Sequence, residues 1–228
     1  MNQIVTKAII LRRTNYAEAD RIVSCISKTD GKLSAIAKGV RRMNSKLASG
    51  IELFVEAELV LIQGRGSLLT LRSSKVTADW SSLAKDLDKA TFGFELLKIT
   101  DRIVEQGEGA DLYPFIEQSL SALHKNASLE VVKLWYAANL LLHTGHAPNL
   151  RNDATSKSLT SESQYSLLID QGVLSLDPRG ELTADHIKLM RLAVSTDILT
   201  LNRVKVGDRV LQISAKTMWD FMKFTLQL

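Results

Sequence analysis

The sequence predicts an α+β protein in which a small N-terminal five-stranded barrel precedes an all-helical C-terminal domain with a small irregular insert. Residues 1–77 contain five short runs of β-branched and apolar residues, separated by turn signals. From residue 79 onward, apolar residues recur at the spacing of an α-helix. We therefore predict one domain over residues 1–78 and a second over residues 79–228.

The predicted strands are bounded by residues that favour tight turns. They span residues 5–11, 21–27, 33–37, 53–62 and 68–76. Asp30 and Gly31 tolerate the positive φ that a short hairpin requires, and the run Gly-Arg-Gly-Ser at 64–67 is a second hairpin signal. Because five is the strand count of an OB-fold, we expect a barrel of that kind.

The helical half begins where Asp79 is a predicted N-cap. The first predicted helix carries an apolar stripe with offsets of 0, 4, 7 and 11, made by Phe92, Leu96, Ile99 and Ile103, and it should end at Gly107. Other helices are predicted over 111–125, 129–143, 183–201 and 208–227. The polar segment 145–180 lies between them, and we expect an irregular insert there with one small hairpin, formed by the short apolar pieces at 167–169 and 173–176.

Positive charge is concentrated near the N-terminus. Residues 1–75 carry 13 basic and 6 acidic side chains, a net charge of +7, whereas the remainder carries 16 basic and 19 acidic side chains, a net charge of −3. This asymmetry indicates a polyanionic partner for the first third of the chain.

Cysteine usage and hydropathy bear on where the protein works. With Cys25 as its single cysteine, the chain can form neither an internal disulfide nor a four-cysteine zinc site, so we expect the reducing cytosol. The N-terminal apolar run is short for a secretory signal, and no apolar stretch approaches the roughly 20 residues that span a bilayer. A cytoplasmic protein with no membrane partner is the expectation.

The run GKLSAIAKGVRRMNSK at 31–46 contains five cations and no acid. Lysine and arginine neutralise phosphates, so such a run indicates a nucleic-acid footprint; the alternative is a solvated loop kept basic for solubility. Tyr16 is a candidate for base stacking, whereas Phe54 should be core. The candidate DNA-binding residues are Arg12, Arg13, Tyr16, Arg21, Lys32, Lys38, Arg41, Arg42, Lys46 and Arg65.

Signatures of enzymes are missing from the sequence. No phosphate-binding loop, nucleophile elbow, zinc-protease motif or dinucleotide fingerprint occurs. His143 and His146 could share a helix face and bind zinc, but Gly145 favours a helix end there. Cys25 alternates into a strand face and should be a buried apolar residue. We expect neither catalysis nor a cofactor.

Most aromatic residues of the helical half fall at core spacing. They are Trp135, Tyr136, Trp219, Phe221 and Phe224. A rim of such residues beside a cation could instead receive an acidic, apolar peptide tail.

The segment 6–42 resembles the start of bacterial recombination proteins of the RecO family. The matching elements are an arginine-ended first strand, Asn-Tyr-x-Glu-Ala-Asp-Arg at 15–21, Gly-Lys-Leu at 31–33 and Ala-Lys-Gly at 37–39. GRGSLLTL at 64–71 and GHAPNL at 145–150 extend the match in register.

The resemblance implies an N-terminal OB-fold, a helical second domain, a recombination-mediator role and association with the nucleoid. The implied partners are single- and double-stranded DNA, RecR, and the C-terminal tail of single-strand-binding protein (SSB), and the implied activity is strand annealing and loading of RecA on SSB-coated DNA. Many relatives carry a four-cysteine zinc site after the Pro-x-Leu segment. Residues 151–180 contain no cysteine, so zinc in that form is excluded here.

Three functions remain open at this point. The first is a DNA-binding, strand-annealing mediator. The second is a protein–protein adaptor that binds the SSB tail, with incidental DNA contact. The third is a hydrolase or nuclease with an unrecognised site among the 25 acidic residues.

Overall fold

The computed structural model describes residues 3–64 and 68–228, which form two compact units. The first unit ends at His124 and the second spans Lys125–Leu228. The boundary predicted at residue 78 marks the change from strands to helices. The boundary between the compact units lies after His124 and not at residue 78, because the first two helices pack against the barrel.

The first unit contains a closed barrel with strand order β1-β2-β3-β5-β4. The strands are β1 (Gln3–Tyr16), β2 (Asp20–Ser27), β3 (Gly31–Ala37), β4 (Val55–Gln63) and β5 (Leu69–Asp79). Neighbouring strands are antiparallel, except for a short parallel pairing of β3 with β5, in which Ala35 faces Leu69 and Ile36 faces Thr70. Small and branched apolar side chains from all five strands fill the interior.

An irregularity in β1 decides where its two arginines lie. The β1–β2 register shifts between Ile10 and Arg12, after which Arg12 faces Ser24 and Arg13 faces Val23. Val23 belongs to the barrel core, and residues paired across two strands lie on the same face of a sheet. Arg13 therefore lies on the inner face at the mouth of the barrel, and Arg12 lies on the outer face.

Two helices complete the first unit, α1 (Leu87–Ile103) and α2 (Tyr113–His124). The predicted cap at Asp79 is wrong, because β5 continues through that residue. Asp86 caps α1 instead, accepting hydrogen bonds from the backbone N–H groups of Asp88 and Lys89. The predicted stripe is confirmed in position, with Phe92 and Leu96 buried along it.

The second unit combines four helices with a three-stranded sheet. The helices are α3 (Leu129–His143), α4 (Ala184–Ser195), α5 (Ile198–Asn202) and α6 (Asp208–Thr225), and the strands are β6 (Asn149–Asp153), β7 (Tyr165–Leu168) and β8 (Val173–Leu176). The small hairpin expected in the insert is present as β7 and β8, but the prediction of an all-helical domain with an irregular insert is wrong in part, because β8 also pairs with β6 to form a sheet. The helix predicted over 183–201 is two helices, since Asp197 starts a new one by capping α5.

Four of the five aromatic side chains assigned to the helical core are buried, and Phe224 is 59% exposed. Phe54 of the first unit is buried as predicted. Within the described residues, no helix has the length and apolar character needed to cross a membrane.

Candidate nucleic-acid interface

The loop that follows β3 is held against the β1–β2 turn by hydrogen bonds. The backbone N–H of Arg41 donates to the carbonyl oxygen of Ala19 at 2.9 Å, and its guanidinium reaches the carbonyl oxygen of Ala17 at 3.4 Å. The N–H of Gly39 donates to the carboxylate of Asp20 at 2.7 Å. Gly39 has a φ of +65°, which glycine adopts without strain, so the loop can turn sharply at that point.

Five exposed side chains are presented by this loop and the neighbouring end of β1. We call this set the basic edge: Tyr16, Lys38, Arg41, Arg42 and Lys46. Tyr16 is 52% exposed and is the last residue of β1, not part of a loop as predicted, because it pairs with Asp20 of β2. Within the described residues, the side chains of Lys38, Arg42 and Lys46 form no ion pair. The basic edge can therefore offer these charges to an anion without first breaking an internal contact.

Arg13 and Arg21 lie at the mouth of the barrel and share an acidic partner. The Arg13 guanidinium lies 2.5 Å from a carboxylate oxygen of Glu52, and the Arg21 guanidinium lies 3.8 Å from the same oxygen. Arg21 also donates from Nε to the side-chain oxygen of Asn15 at 3.1 Å. These two arginines share one anionic partner within the chain, in contrast to Lys38, Arg42 and Lys46 of the basic edge.

Arg12 and Lys32 are engaged on the outer face of the barrel by Asp101 of α1. Arg12 Nε donates to Asp101 at 2.7 Å, Lys32 Nζ lies 3.1 Å from the other carboxylate oxygen, and the Ser24 hydroxyl donates to that oxygen at 2.6 Å. Lys32 Nζ also donates to the carbonyl oxygen of Val104 at 3.1 Å. The Lys32 side chain is only 14% exposed, so its ammonium group contacts other residues of the first unit and not solvent.

The Asp101 contacts have an electrostatic consequence. Burial of the carboxyl group favours its neutral form, but hydrogen bonds from Ser24, Arg12 and Lys32 outweigh burial, and the pKa of Asp101 lies below its ordinary value. Asp101 is thus a stable anion that holds two candidate DNA-binding cations.

The ten candidate residues accordingly fall into separate groups. Five form the basic edge, two pair with Glu52, two pair with Asp101, and Arg65 lies outside the described residues. Sequence reasoning missed both Glu52 and Asp101. Glu52 is one of only six acidic residues among the basic first 75 residues, and this rarity could have indicated an ion-pair partner for a nearby cation. Asp101 lies in a segment where acidic residues are common, so its sequence context does not distinguish it.

The excess of acidic residues in this chain lies in the segment that directly follows the barrel strands. Residues 76–124 carry four basic and nine acidic side chains, a net charge of −5, whereas the second unit carries 12 basic and ten acidic, a net charge of +2. The net charge of −3 counted after residue 75 is the sum of these two values, so the excess of acidic residues lies entirely in the segment that contains α1 and α2. The first unit has a basic barrel and an acidic helical layer.

Residues able to bind a metal do not cluster. Within the described part of the chain, no group of three or more His, Cys, Asp or Glu residues could hold a metal ion. Cys25 lies in the barrel core, where burial raises the pKa of its thiol to about 12. His143 and His146 are exposed on either side of Gly145, which has a φ of +75° and ends α3. A cysteine-ligated zinc does not fit these residues.

Comparison with known families covers nearly the whole chain. A model described as the N-terminal part of recombination protein O matches residues 1–80, and one described as its C-terminal part matches residues 84–227. The chain belongs to the RecO family.

Individual relatives agree with this assignment, and each is named DNA repair protein RecO. A relative from Acetivibrio thermocellus is 29% identical over the whole of this chain and 93% of its own length. One from Dehalococcoides mccartyi is 25% identical over 90% of this chain and 84% of its own length. One from Heliobacterium modesticaldum is 31% identical over 63% of this chain and 52% of its own length.

Proposed function

We propose that this RecO-family chain is a non-enzymatic DNA repair and recombination mediator. In this proposal it binds single- and double-stranded DNA, anneals complementary strands, and acts with RecR to load RecA on SSB-coated DNA. The observation that carries the proposal is the basic edge, four exposed cations beside an exposed tyrosine. Phosphates bind such cations by releasing counterions, and a base can stack on the tyrosine ring.

The barrel supports the same proposal. We propose that it is an OB-fold, on the basis of its five strands, its closure and its β3–β5 pairing. The β1–β2 loop of such barrels takes part in binding oligonucleotides, and here that turn is bonded to the basic loop through Arg41 and Gly39. A single strand would lie across the turn and the loop together.

Replacing Lys38, Arg41 and Arg42 together by alanine should weaken binding of single-stranded DNA at least tenfold. If the four cations of the basic edge contact phosphates, log K should fall with log salt at a slope of about −2.8, and losing three contacts should reduce the slope to about −0.7. Fluorescence anisotropy over a salt series measures both quantities. Annealing of SSB-coated complementary strands should slow in parallel.

A matched control removes the same charge elsewhere. Lys28, Lys75 and Lys85 are exposed and lie outside the basic edge. Lys28 follows β2, at the end of the barrel about 20 Å from the basic loop, since β3 has seven residues that each span about 3.3 Å. The control triple alanine variant should bind DNA nearly as the wild type does. An equal loss in both variants would reject the basic edge as the binding surface.

The second candidate function is an adaptor that binds the acidic, apolar tail of SSB. The second unit has an apolar groove of about 530 Å³ lined by Pro148, Leu150 and Val194, with Arg151 and Arg191 at its side. Apolar walls next to cations suit a tail that carries both acidic and apolar groups.

The two functions make different demands on the groove. Replacing Val194 by Glu should abolish binding of an SSB-tail peptide to the full chain, measured by anisotropy, and should leave binding of naked single-stranded DNA unchanged. Peptide binding by a wild-type chain that binds no DNA would favour the adaptor over the mediator. Undiminished peptide binding by the variant would exclude this groove.

A further inference from the structure

Three charged side chains meet at the mouth of the barrel, and we call them the mouth triad: Arg13, Arg21 and Glu52. One carboxylate oxygen of Glu52 forms ion pairs with both guanidinium groups, at 2.5 Å from Arg13 and 3.8 Å from Arg21, and the two arginines come from adjacent strands. The Glu52 side chain is 48% exposed, and the two arginine side chains are 23% and 29% exposed. A ligand arriving from solvent can therefore reach this ion pair.

The backbone holds Glu52 in place. Its neighbour Ile51 is fully buried in the barrel core, and Phe54, two residues later, is buried as well. The N–H of Glu52 donates to the carbonyl oxygen of Ser49. The carboxylate is thus presented to the arginines by an anchored segment.

The mouth triad continues the basic edge. Arg21 pairs across the sheet with Ala37, the residue before Lys38, and its neighbour Asp20 binds the N–H of Gly39. A phosphate chain that follows the basic loop toward the mouth of the barrel therefore arrives at Arg21 and then at Arg13. In the DNA-free protein, both arginines already form ion pairs with the carboxylate of Glu52.

Carboxylate and phosphate oxygens compete for the same guanidinium geometry. We propose that Glu52 occupies, in the DNA-free protein, the place of a backbone phosphate at the mouth of the barrel, and that bound DNA displaces it. This inference rests on the proposed function, since it names a regulator of the same surface. A strand that also contacts the basic edge gains enough binding to displace Glu52, whereas an isolated phosphate does not.

Replacing Glu52 by Gln keeps the side-chain shape and removes the competing charge. We expect single-stranded DNA to bind roughly fivefold tighter or more, because a like charge next to the phosphate is lost. The slope of log K against log salt should steepen by about 0.7 to 1.4, as one or two further phosphates engage arginines. Anisotropy titrations over a salt series measure both, and thermal unfolding checks that the variant is folded.

Two comparisons isolate the effect from net charge. Glu58 is exposed on β4, opposite Lys7 and Lys75, and Glu58→Gln changes the charge equally but away from the mouth triad. It should leave affinity within about twofold, since surface charges beyond a Debye length of about 8 Å are largely screened. In a background of Arg13→Ala and Arg21→Ala, Glu52→Gln should give no gain.

The outcomes separate this inference from the proposed function. If Glu52→Gln changes the affinity for DNA no more than Glu58→Gln does, the proposed role of Glu52 is overturned. The proposal that the protein binds DNA then still stands. Weaker binding by a folded Glu52→Gln variant would overturn it too, since Glu52 would then be positioning the arginines for DNA. Absence of DNA binding in both the wild type and the variant would reject the proposed function itself.

Discussion

Asp101 shows how a single carboxylate can join a helix to a sheet. It accepts from Arg12 of β1 and Ser24 of β2 and forms an ion pair with Lys32 of β3, so three adjacent strands are bonded to α1 at one point. Because these partners favour the charged form, the carboxylate stabilises the fold more when ionised. Of the two candidate DNA-binding cations held by this carboxylate, Lys32 is largely buried, whereas the Arg12 side chain is still 62% exposed.

Replacing Asp101 by Asn should lower the free energy of unfolding at pH 7 by about 2 kcal/mol, because hydrogen bonds to a charged group are lost. The lowered pKa gives the pH dependence its sign. The contribution is full above about pH 4, the ordinary aspartate pKa, and disappears as the pH falls further. Chemical denaturation across pH 2 to 7 measures the difference, which should therefore narrow at low pH.

Asp170 offers a control for that experiment, since it is exposed and belongs to the second unit. Asp170→Asn should leave the unfolding free energy nearly unchanged at every pH. A constant gap between the wild type and Asp101→Asn down to pH 2 would contradict an ionised, stabilising carboxylate.

At the scale of elements, a three-stranded sheet spans residues 149–176, a segment that contains no cysteine. Its order rests on apolar packing and hydrogen bonds: Tyr165, Leu174 and Leu182 are buried, and the Tyr165 hydroxyl accepts from the N–H of Thr160 at 2.9 Å. A buried tyrosine and two leucines can replace a metal as the centre of a small sheet because each removes apolar area from water.

Chelation should therefore leave this sheet intact, whereas a cavity in it should not. We expect EDTA to leave the melting temperature unchanged and Leu174→Ala to cost about 2–4 kcal/mol of unfolding free energy. Leu176 lies on the same strand and is 59% exposed, so Leu176→Ala is the matched control and should cost far less. Calorimetry and denaturant unfolding measure these effects; a fall in melting temperature with EDTA would indicate a metal site of another kind.

Elements with a strong local signal were predicted well, and those that depend on distant partners were not. The helix over 129–143 was predicted with its observed bounds, and β2 and β3 to within two residues, because alternation and turn residues define them. The strands β6 and β8 are parallel neighbours joined through a long connection, which no local pattern reveals. Asp79 resembles a helix cap in sequence, but pairing with Val55 keeps it in β5.

At the scale of the whole molecule, the net charge of +4 conceals two units that each carry +2. The basic edge could be predicted because its cations form one run in sequence. The partners of the other candidate cations could not, since Glu52 and Asp101 lie 39 and 89 residues away from Arg13 and Arg12. Composition therefore locates the candidate surface, and only the fold distinguishes cations without an ion-pair partner from those that share a carboxylate.

The brief parallel pairing between β3 and β5 also has a consequence for how the chain folds. It joins Ile36 to Thr70, and the basic loop lies within the stretch of chain between them. Closing a loop of that length loses conformational entropy before the stabilising contacts of the closed barrel have formed. Because the bonds that hold the basic loop come from the β1–β2 turn and from β2, we expect the basic edge to form with the β1–β2–β3 meander, before the β3–β5 pairing closes the barrel.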